Sequence, residues 1–570
     1  MPFTPATAEQ RFVLEHVVGL PEIAATERFA AASPDVVDAV LEGAGDFAAG
    51  EWAPLARIGD TVGAKWTPEG VTMPAGFPQA YRAYVEGGWG TIGAPESAGG
   101  QGLPFVLQAA VLETLGTANM GFALCPTLTV GAIEALDHHG SPEQQALYLP
   151  RLATGEWTGT MNLTEPQAGS DVGALRTTAT PRGDGTWNIK GTKIYISFGD
   201  HDMAANIVHL VLARTPGAPA GSRGISLFLV PKYRLDAAGE PGAFNDVRVV
   251  SIEHKMGLHA SPTCVLSFGD HDDCVGELIG AEHAGLRAMF TMMNNARLNV
   301  GLQGVQVAEG ATQAAVAYAL DRVQSPRAGA ASRDSVRIVE HPDVRRMLMR
   351  MKAQTQAARA LVYYACGQVD RATLGDARAR DRLELVTPLA KAHATDLGNE
   401  VASIGIQIHG GMGYVEETGA AQFFRDARIT PIYEGTNGIQ AADLVGRKLS
   451  LDNGGAFAAL VADMRAEAQS AHLIELVDAV ESIGRTLQGA NHDDRLAASY
   501  PFLTMVSVAV CGWLMERGAR AAGDDLFGTT KRAVTRFYLE QLVPEALGLR
   551  AAATASADAL YAIPAEAFAA

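Results

Sequence analysis

The spacing of apolar residues changes twice along this chain, and those two changes constrain the fold more than any single motif. From Glu9 to about Thr154 apolar residues recur at helical intervals, as in FVLQAAVLETLG at 105 to 116, with connections such as GTIGAPESAGGQGLP. Between Trp157 and Phe268 they gather into short β-branched runs parted by turn residues: WTGTMNLT, TWNIKGTKIYIS, NIVHLVLART, GISLFLVP, DVRVVSIE and PTCVLSFG. From Gly285 the helical interval returns, in segments such as VRRMLMRMKAQTQAARALVYYAC that are long enough for a bundle. The reading is a mostly α protein with a central β domain, taken as antiparallel. Its parts are an N-terminal helical domain at 1–154, a middle β domain at 155–278 and a helix-bundle domain at 279–450. The connection LSLDNGGAF then leads into an extra C-terminal helical domain at 451–570. Within the first part, Ser141, Pro142, Glu143 and Gln144 predict a helix start, since serine caps and proline suits the first turn.

A chain of 570 residues, 48% of them apolar, can bury a large core in several domain-sized units. Its 45 basic and 63 acidic residues leave a formal charge of -18, which repels nucleic acid and anionic membrane over most of the surface. An anionic coenzyme must therefore be met by local groups. The five cysteines, at 125, 264, 274, 366 and 511, have neither CxxC nor metal-ligand spacing, so no metal site is expected and a reduced cytoplasmic compartment fits best. No signal peptide is read in MPFTPATAEQRFVLEHVV, which lacks a basic stretch followed by a continuous apolar one. No membrane span is expected either. The most apolar run, 502–514, falls short of the ~20 residues a spanning helix needs.

Three clusters can carry chemistry. The first, MNLTEPQAGSD from Met161 to Asp171, ends an apolar strand with hydroxyls, backbone amides and a glycine that could approach a flat polar ring or a phosphate. Alone, it reads equally well as an ordinary strand-to-turn transition. The second is Lys193 to Ser197, KIYIS, whose alternation puts Tyr195 and Ser197 on one face, as either a cofactor wall or half-buried packing. The third joins QIHGGMGY (Gln407 to Tyr414) to RDAR and IYEGTNGIQ (Ile432 to Gln440). A carboxylate among glycines and apolar residues, Glu434, can gain basicity by desolvation, although by itself it reads as a loop carboxylate capping the next helix.

Together, in this order, TEPQAGSD, KIYIS, EHKMGLHASPT, QIHGGMGY and YEGTNGIQ resemble the acyl-CoA dehydrogenase family from about residue 80 to residue 448. The longer chain, RFVLEHVV, TMMNNARLNVGLQG and the C-terminal helices are most similar to the branch containing 3-methylmercaptopropionyl-CoA dehydrogenase. The resemblance implies an acyl-CoA dehydrogenase-like fold, bound FAD, and α,β-dehydrogenation of an acyl-CoA thioester to the 2-enoyl-CoA. Electrons would pass to an electron-transfer flavoprotein. The acyl group would be 3-methylmercaptopropionyl or a related short or medium chain; a long-chain substrate, or an oxidase that passes electrons to oxygen, are the alternatives within the family. A catalytically dead binding scaffold is the rival outside it, and retention of the base and flavin motifs argues against that.

Residue by residue, the resemblance makes Glu434 the catalytic base. Met161, Leu163, Thr164 and Ser170 fall at flavin-binding positions, with Ser170 also near the coenzyme A. Tyr195, Ile196 and Ser197 line the ring, where the family usually has tryptophan and threonine at the first and last of these. Arg322, Gln407, Gly410 and Gly411 match contacts to a neighbouring subunit's FAD, which implies a homodimer or dimer of dimers. After Arg322 the chain departs from the family pattern, with Val323 and Gln324 in place of lysine and threonine. Thr436 matches a helix start near the pyrophosphate, where free amides favour an anion. Asn294, Arg297 and Gly435 match substrate-binding positions, an aspartate being more usual at Asn294. Some family members carry the base at the position of Ala296, and alanine cannot abstract a proton.

Overall fold

Ser141 begins a helix as its neighbours predict. Its hydroxyl accepts from the Gln144 N–H at 3.2 Å, and the Gln144 side chain accepts from the Ser141 N–H at 3.0 Å, closing a capping box ahead of Pro142–Thr154. The structure, a computed structural model, describes residues 3–570. The chain falls into two units, one made of Met1–Leu41, Pro104–Glu113 and Arg297–Ala570, the other of Glu42–Leu103 and Thr114–Ala296.

The second unit holds an eight-stranded sheet. Across it run Val247–Ile252, Thr263–Phe268, Trp187–Ser197, Val275–Ile279, Ser226–Pro231, Asn206–Ala213 and Trp157–Asn162, and Thr178–Pro181 pairs with Trp187–Ser197. The antiparallel reading needs one correction: Trp157–Asn162 and Asn206–Ala213 pair in parallel, Trp157 opposite Asn206. A parallel pair needs a long crossover, and here the two strands between them supply it. One face of the sheet packs Trp157, Leu210, Leu227 and Leu229 against Ile133, Leu136, Leu149 and Leu152 from the helices. The other buries Val211, Phe228, Val230, Leu266 and Phe268. A small hairpin, Lys65–Thr67 with Gly70–Thr72, interrupts the region read as purely helical.

The first unit is helical. Arg297 begins its share of the long helix Gly285–Asp321, which packs on Ala377–His409. The two helices come so close that a Cβ on Gly304 would stand 2.2 Å from the Ala394 carbonyl oxygen. Helix Pro342–Thr373 completes this layer, and its Arg359, 1% exposed, pairs with Glu113 and Glu309 at 2.7 Å. Beyond a non-helical break at Leu451, Asp452 and Asn453 come Gly455–Glu467, Ala471–Gly489, His492–Ala521 and Leu526–Phe537. Two helices, Phe105–His139 and His492–Ala521, are long and apolar enough to cross a membrane, but 83% of each apolar stretch is buried in protein. The run at 502–514 is thus the middle of a 30-residue core helix.

Candidate active site

Glu434 follows a tight turn that the helix Ala420–Ala427 and its continuation impose: the Tyr433 N–H bonds to Ile429 O and the Asn437 N–H to Pro431 O. Glu434 has φ 56° and Gly435 φ 82°, so two consecutive residues occupy left-handed backbone. Glycine adopts this freely; for glutamate it costs roughly 1–3 kcal/mol, the kind of strain found at functional sites. The next helix, Asn437–Gly446, is capped by Thr436, whose hydroxyl accepts from the Ile439 N–H at 3.2 Å. Thr436 and not Glu434 is therefore the cap, which leaves the carboxylate free of that duty.

Glu434 is half-buried, and burial pushes its pKa up to about 7, against the pull of Arg297 and Lys391. Arg297 sits in this cluster. Burial lowers its pKa, opposed by Asp443 and Glu434, and its Nε is buried without a hydrogen-bond partner. Gln440 is 1% exposed with neither amide atom bonded, and a Cβ on Gly435 would stand 2.9 Å from its Nε2. Tyr433 bonds through its hydroxyl to Gln303. Unfilled donors and acceptors around a desolvated carboxylate suit a polar ligand that brings its own partners. The side chain of Asn294 lies outside the described residues. The sequence missed Lys391, 0% exposed, whose Nζ donates to Asn437 Oδ1 at 2.8 Å. A lone lysine in the apolar stretch TPLAKAHAT was the available signal.

In the other unit the first two clusters are tied together. Ile194 N–H bonds to Thr164 O at 2.9 Å, and the fully buried Lys193 Nζ reaches Leu163 O at 3.0 Å and Glu165 Oε1 at 2.8 Å. Glu165 also accepts from the Arg176 and Thr177 amides and the Thr177 hydroxyl. Burial alone would raise its pKa, but Lys193 and these donors bring it down to about 2. Burial lowers Lys193 to about 8 in spite of Glu165. This buried pair, absent from the sequence reading, fixes the turn after Met161.

Tyr195 and Ser197 do not share a face by simple alternation. The register with Thr263–Phe268 slips between Cys264 and Leu266, and Tyr195 has φ 61°, so a bulge turns its ring outward, 61% exposed. Ile196, 2% exposed, points into the core instead of lining a surface. Leu163 is buried and Met161 half-buried. Among the described residues the hydroxyls of Thr164, Ser170 and Ser197 have no protein hydrogen bond, and Ser170 stands at an exposed turn. An outward aromatic with free hydroxyls beside it fits the edge of a flat heteroaromatic ring.

Arg322, Gln407, Gly410 and Gly411 are all exposed. Tyr318 stacks on His409 with ring centroids 4.5 Å apart, which brings Arg322 and the Gln407–Gly411 segment to one end of the bundle. Nothing near Arg322 but Gln324 Oε1, at 3.0 Å, holds its guanidinium among the described residues. Residues 122–126 are buried core: Phe122 stacks on Trp52 at 4.2 Å, close to a break in the helix at Asn119.

Family profiles match nearly end to end: acyl-CoA dehydrogenase N-terminal domain at 36–156, middle domain at 160–271 and C-terminal domain at 283–449, then an acetyl-CoA dehydrogenase C-terminal-like domain at 451–564. The chain is 44% identical to 3-methylmercaptopropionyl-CoA dehydrogenase of Ruegeria pomeroyi over 96% of its length and 97% of that protein. It is 36% identical to a butyryl-CoA dehydrogenase of Syntrophomonas wolfei, over 90% of each. Among solved structures, an acyl-CoA dehydrogenase complexed with FAD from Bacillus anthracis superposes with a TM-score of 0.74 at 23% identity, covering 92% of this chain and 88% of that one.

Proposed function

Because this chain belongs to the acyl-CoA dehydrogenase family of oxidoreductases, we propose that it converts a short or medium acyl-CoA to the 2-enoyl-CoA, with Glu434 as the base. The observation that carries this is Glu434 itself: a strained carboxylate with its pKa raised to about 7, beside a half-buried arginine with an unpartnered nitrogen. A base that titrates near neutrality is poised for proton abstraction. Arg297 meets the anionic coenzyme A moiety, supplying the local positive charge that a chain of net charge -18 requires. The Glu434 N–H and its left-handed backbone present a donor to the thioester oxygen, and one such donor is worth ~3 kcal/mol as charge develops there.

FAD, when bound, supplies the acceptor for the hydride that leaves Cβ. Thr164, Ser197 and Tyr195 would hold its ring, with Met161, Leu163 and Ser170 on the same segment. Arg322, Gln407, Gly410, Gly411 and Thr436 would hold the rest of the cofactor, the exposed ones from the neighbouring subunit of a homodimer. The relative from Ruegeria pomeroyi supports 3-methylmercaptopropionyl-CoA as a substrate to try first. Electrons go on to an electron-transfer flavoprotein in the cytoplasm. The test is anaerobic mixing of the FAD-loaded protein with acyl-CoA thioesters of increasing length and with 3-methylmercaptopropionyl-CoA. Rapid loss of flavin absorbance with at least one of them is expected; none reacting would overturn the reading. Stoichiometric peroxide in air, with no gain from electron-transfer flavoprotein, would make it an oxidase.

A further inference from the structure

The loop that carries Glu434 is anchored from behind by a chain of polar side chains. Asn437, first residue of the helix after Glu434, is 3% exposed and fully engaged. Its Oδ1 accepts from Lys391 Nζ at 2.8 Å, and its Nδ2 faces Ala392 O at 3.0 Å, Thr395 Oγ1 at 2.9 Å and Asp396 Oδ1 at 2.8 Å. The second oxygen of Asp396 accepts from the Tyr500 hydroxyl at 2.7 Å. Tyr500 belongs to His492–Ala521, the long helix of the C-terminal segment. A continuous path therefore runs from that segment to the residue three positions after Glu434.

We propose that Lys391 is a positioning residue for Glu434, and that the C-terminal helix His492–Ala521 holds it in place through Tyr500, Asp396 and Asn437. The inference rests on Glu434 being the base and assigns a task to the C-terminal helix, which packs on the helix Asn437–Gly446. Lys391 Nζ donates to the side-chain amide of Asn437, and its charge acts on both Glu434 and Asp396. The charged groups around Glu434 are Arg297 from one helix and Lys391 from another, with the Tyr433 hydroxyl on its own loop. Lys391 in turn feels Glu434, Asp396 and Arg297, and Asp396 feels Lys391, Arg428, Tyr500 and Asn437. Asp443, Arg447 and Glu384 surround Arg297.

The sign follows from this arrangement. Lys391 favours ionised Glu434, so losing its charge moves the titration of Glu434 to higher pH. Removing the Tyr500 hydroxyl takes a donor from Asp396, which then protonates more readily, supports Lys391 less and pushes Glu434 the same way. The experiment measures the anaerobic rate of flavin reduction by acyl-CoA from pH 6 to pH 9 for the full-length, FAD-loaded protein. In Tyr500→Phe the ratio of the pH 9 rate to the pH 6 rate should rise about threefold over wild type. In Lys391→Met it should rise at least about tenfold, a shift of one unit or more. A purely structural role would lower rates at every pH or release flavin, leaving the ratio unchanged. If Lys391→Met fails to fold, Tyr500→Phe decides alone, since it alters one hydroxyl on a partly exposed ring. An unchanged ratio in Tyr500→Phe overturns the proposal while leaving the base in place; a Glu434→Gln protein that reduces flavin normally would instead remove the base.

Discussion

At the scale of single residues, Glu434 combines three properties that seldom coincide: left-handed backbone, partial burial and a pKa raised from 4.5 to about 7. Flavin reduction should therefore rise with pH through about 7, which a rate profile in the free enzyme reads directly. The same shift has a thermodynamic consequence. A carboxyl whose folded pKa exceeds its unfolded value binds extra protons when folded, so its contribution to stability declines between about pH 4.5 and pH 7 and then levels off. Glu434→Gln should thus stabilise the flavin-free protein by about 3 kcal/mol at pH 8 and by little at pH 4.5, as read from urea midpoints. Equal effects at both pH values would mean that the carboxylate is not desolvated. In the sequence, Glu434 was legible only through its neighbours, because a lone glutamate among glycines equally describes a helix cap. Thr436, two positions on, takes the cap instead. Lys391 and Asn437 were not legible, since their significance arises from a helix contact between residues 46 apart.

At the scale of elements, the turn after Met161 depends on one buried ion pair. Lys193→Met would leave Glu165 inside the sheet with its main counter-charge gone, which typically costs about 3–5 kcal/mol. We expect a lower melting temperature and a loss of flavin retention together, because Thr164 and Ser197 lie on the two segments that the pair joins. Unchanged flavin content would separate the turn from the cofactor. The Thr436→Ala variant should weaken the Asn437–Gly446 helix by about 1 kcal/mol, the usual worth of a threonine cap, measurable as a small shift in urea midpoint. Alternating β-branched runs identified the strands, and helical spacing identified the bundle. Periodicity could not reveal the parallel pair, which depends on where the chain returns, nor the bulge at Tyr195, which breaks the very alternation used to read the strand.

At the scale of the whole molecule, the order of helical, β and helical segments was legible because each change of period marks a change of layer, and the matching family profiles follow the same order. The tie between the C-terminal helices and the Glu434 loop was not, because it consists of a few hydrogen bonds between segments that look independent in sequence. On the proposed reading a second copy covers the exposed Arg322, Gln407, Gly410 and Gly411. Light scattering should then give a dimer or dimer of dimers, and Arg322→Ala should lower flavin content more than it lowers the melting temperature of the apoprotein. The central claim is that an oxidoreductase of this family uses Glu434 to take the α-proton, and the most direct measurement is anaerobic rapid mixing of the FAD-loaded Glu434→Gln protein with its best acyl-CoA. The account predicts a full complement of flavin, retained substrate binding and flavin reduction slowed by at least ~100-fold. Flavin that bleaches at close to the wild-type rate in that variant would contradict it.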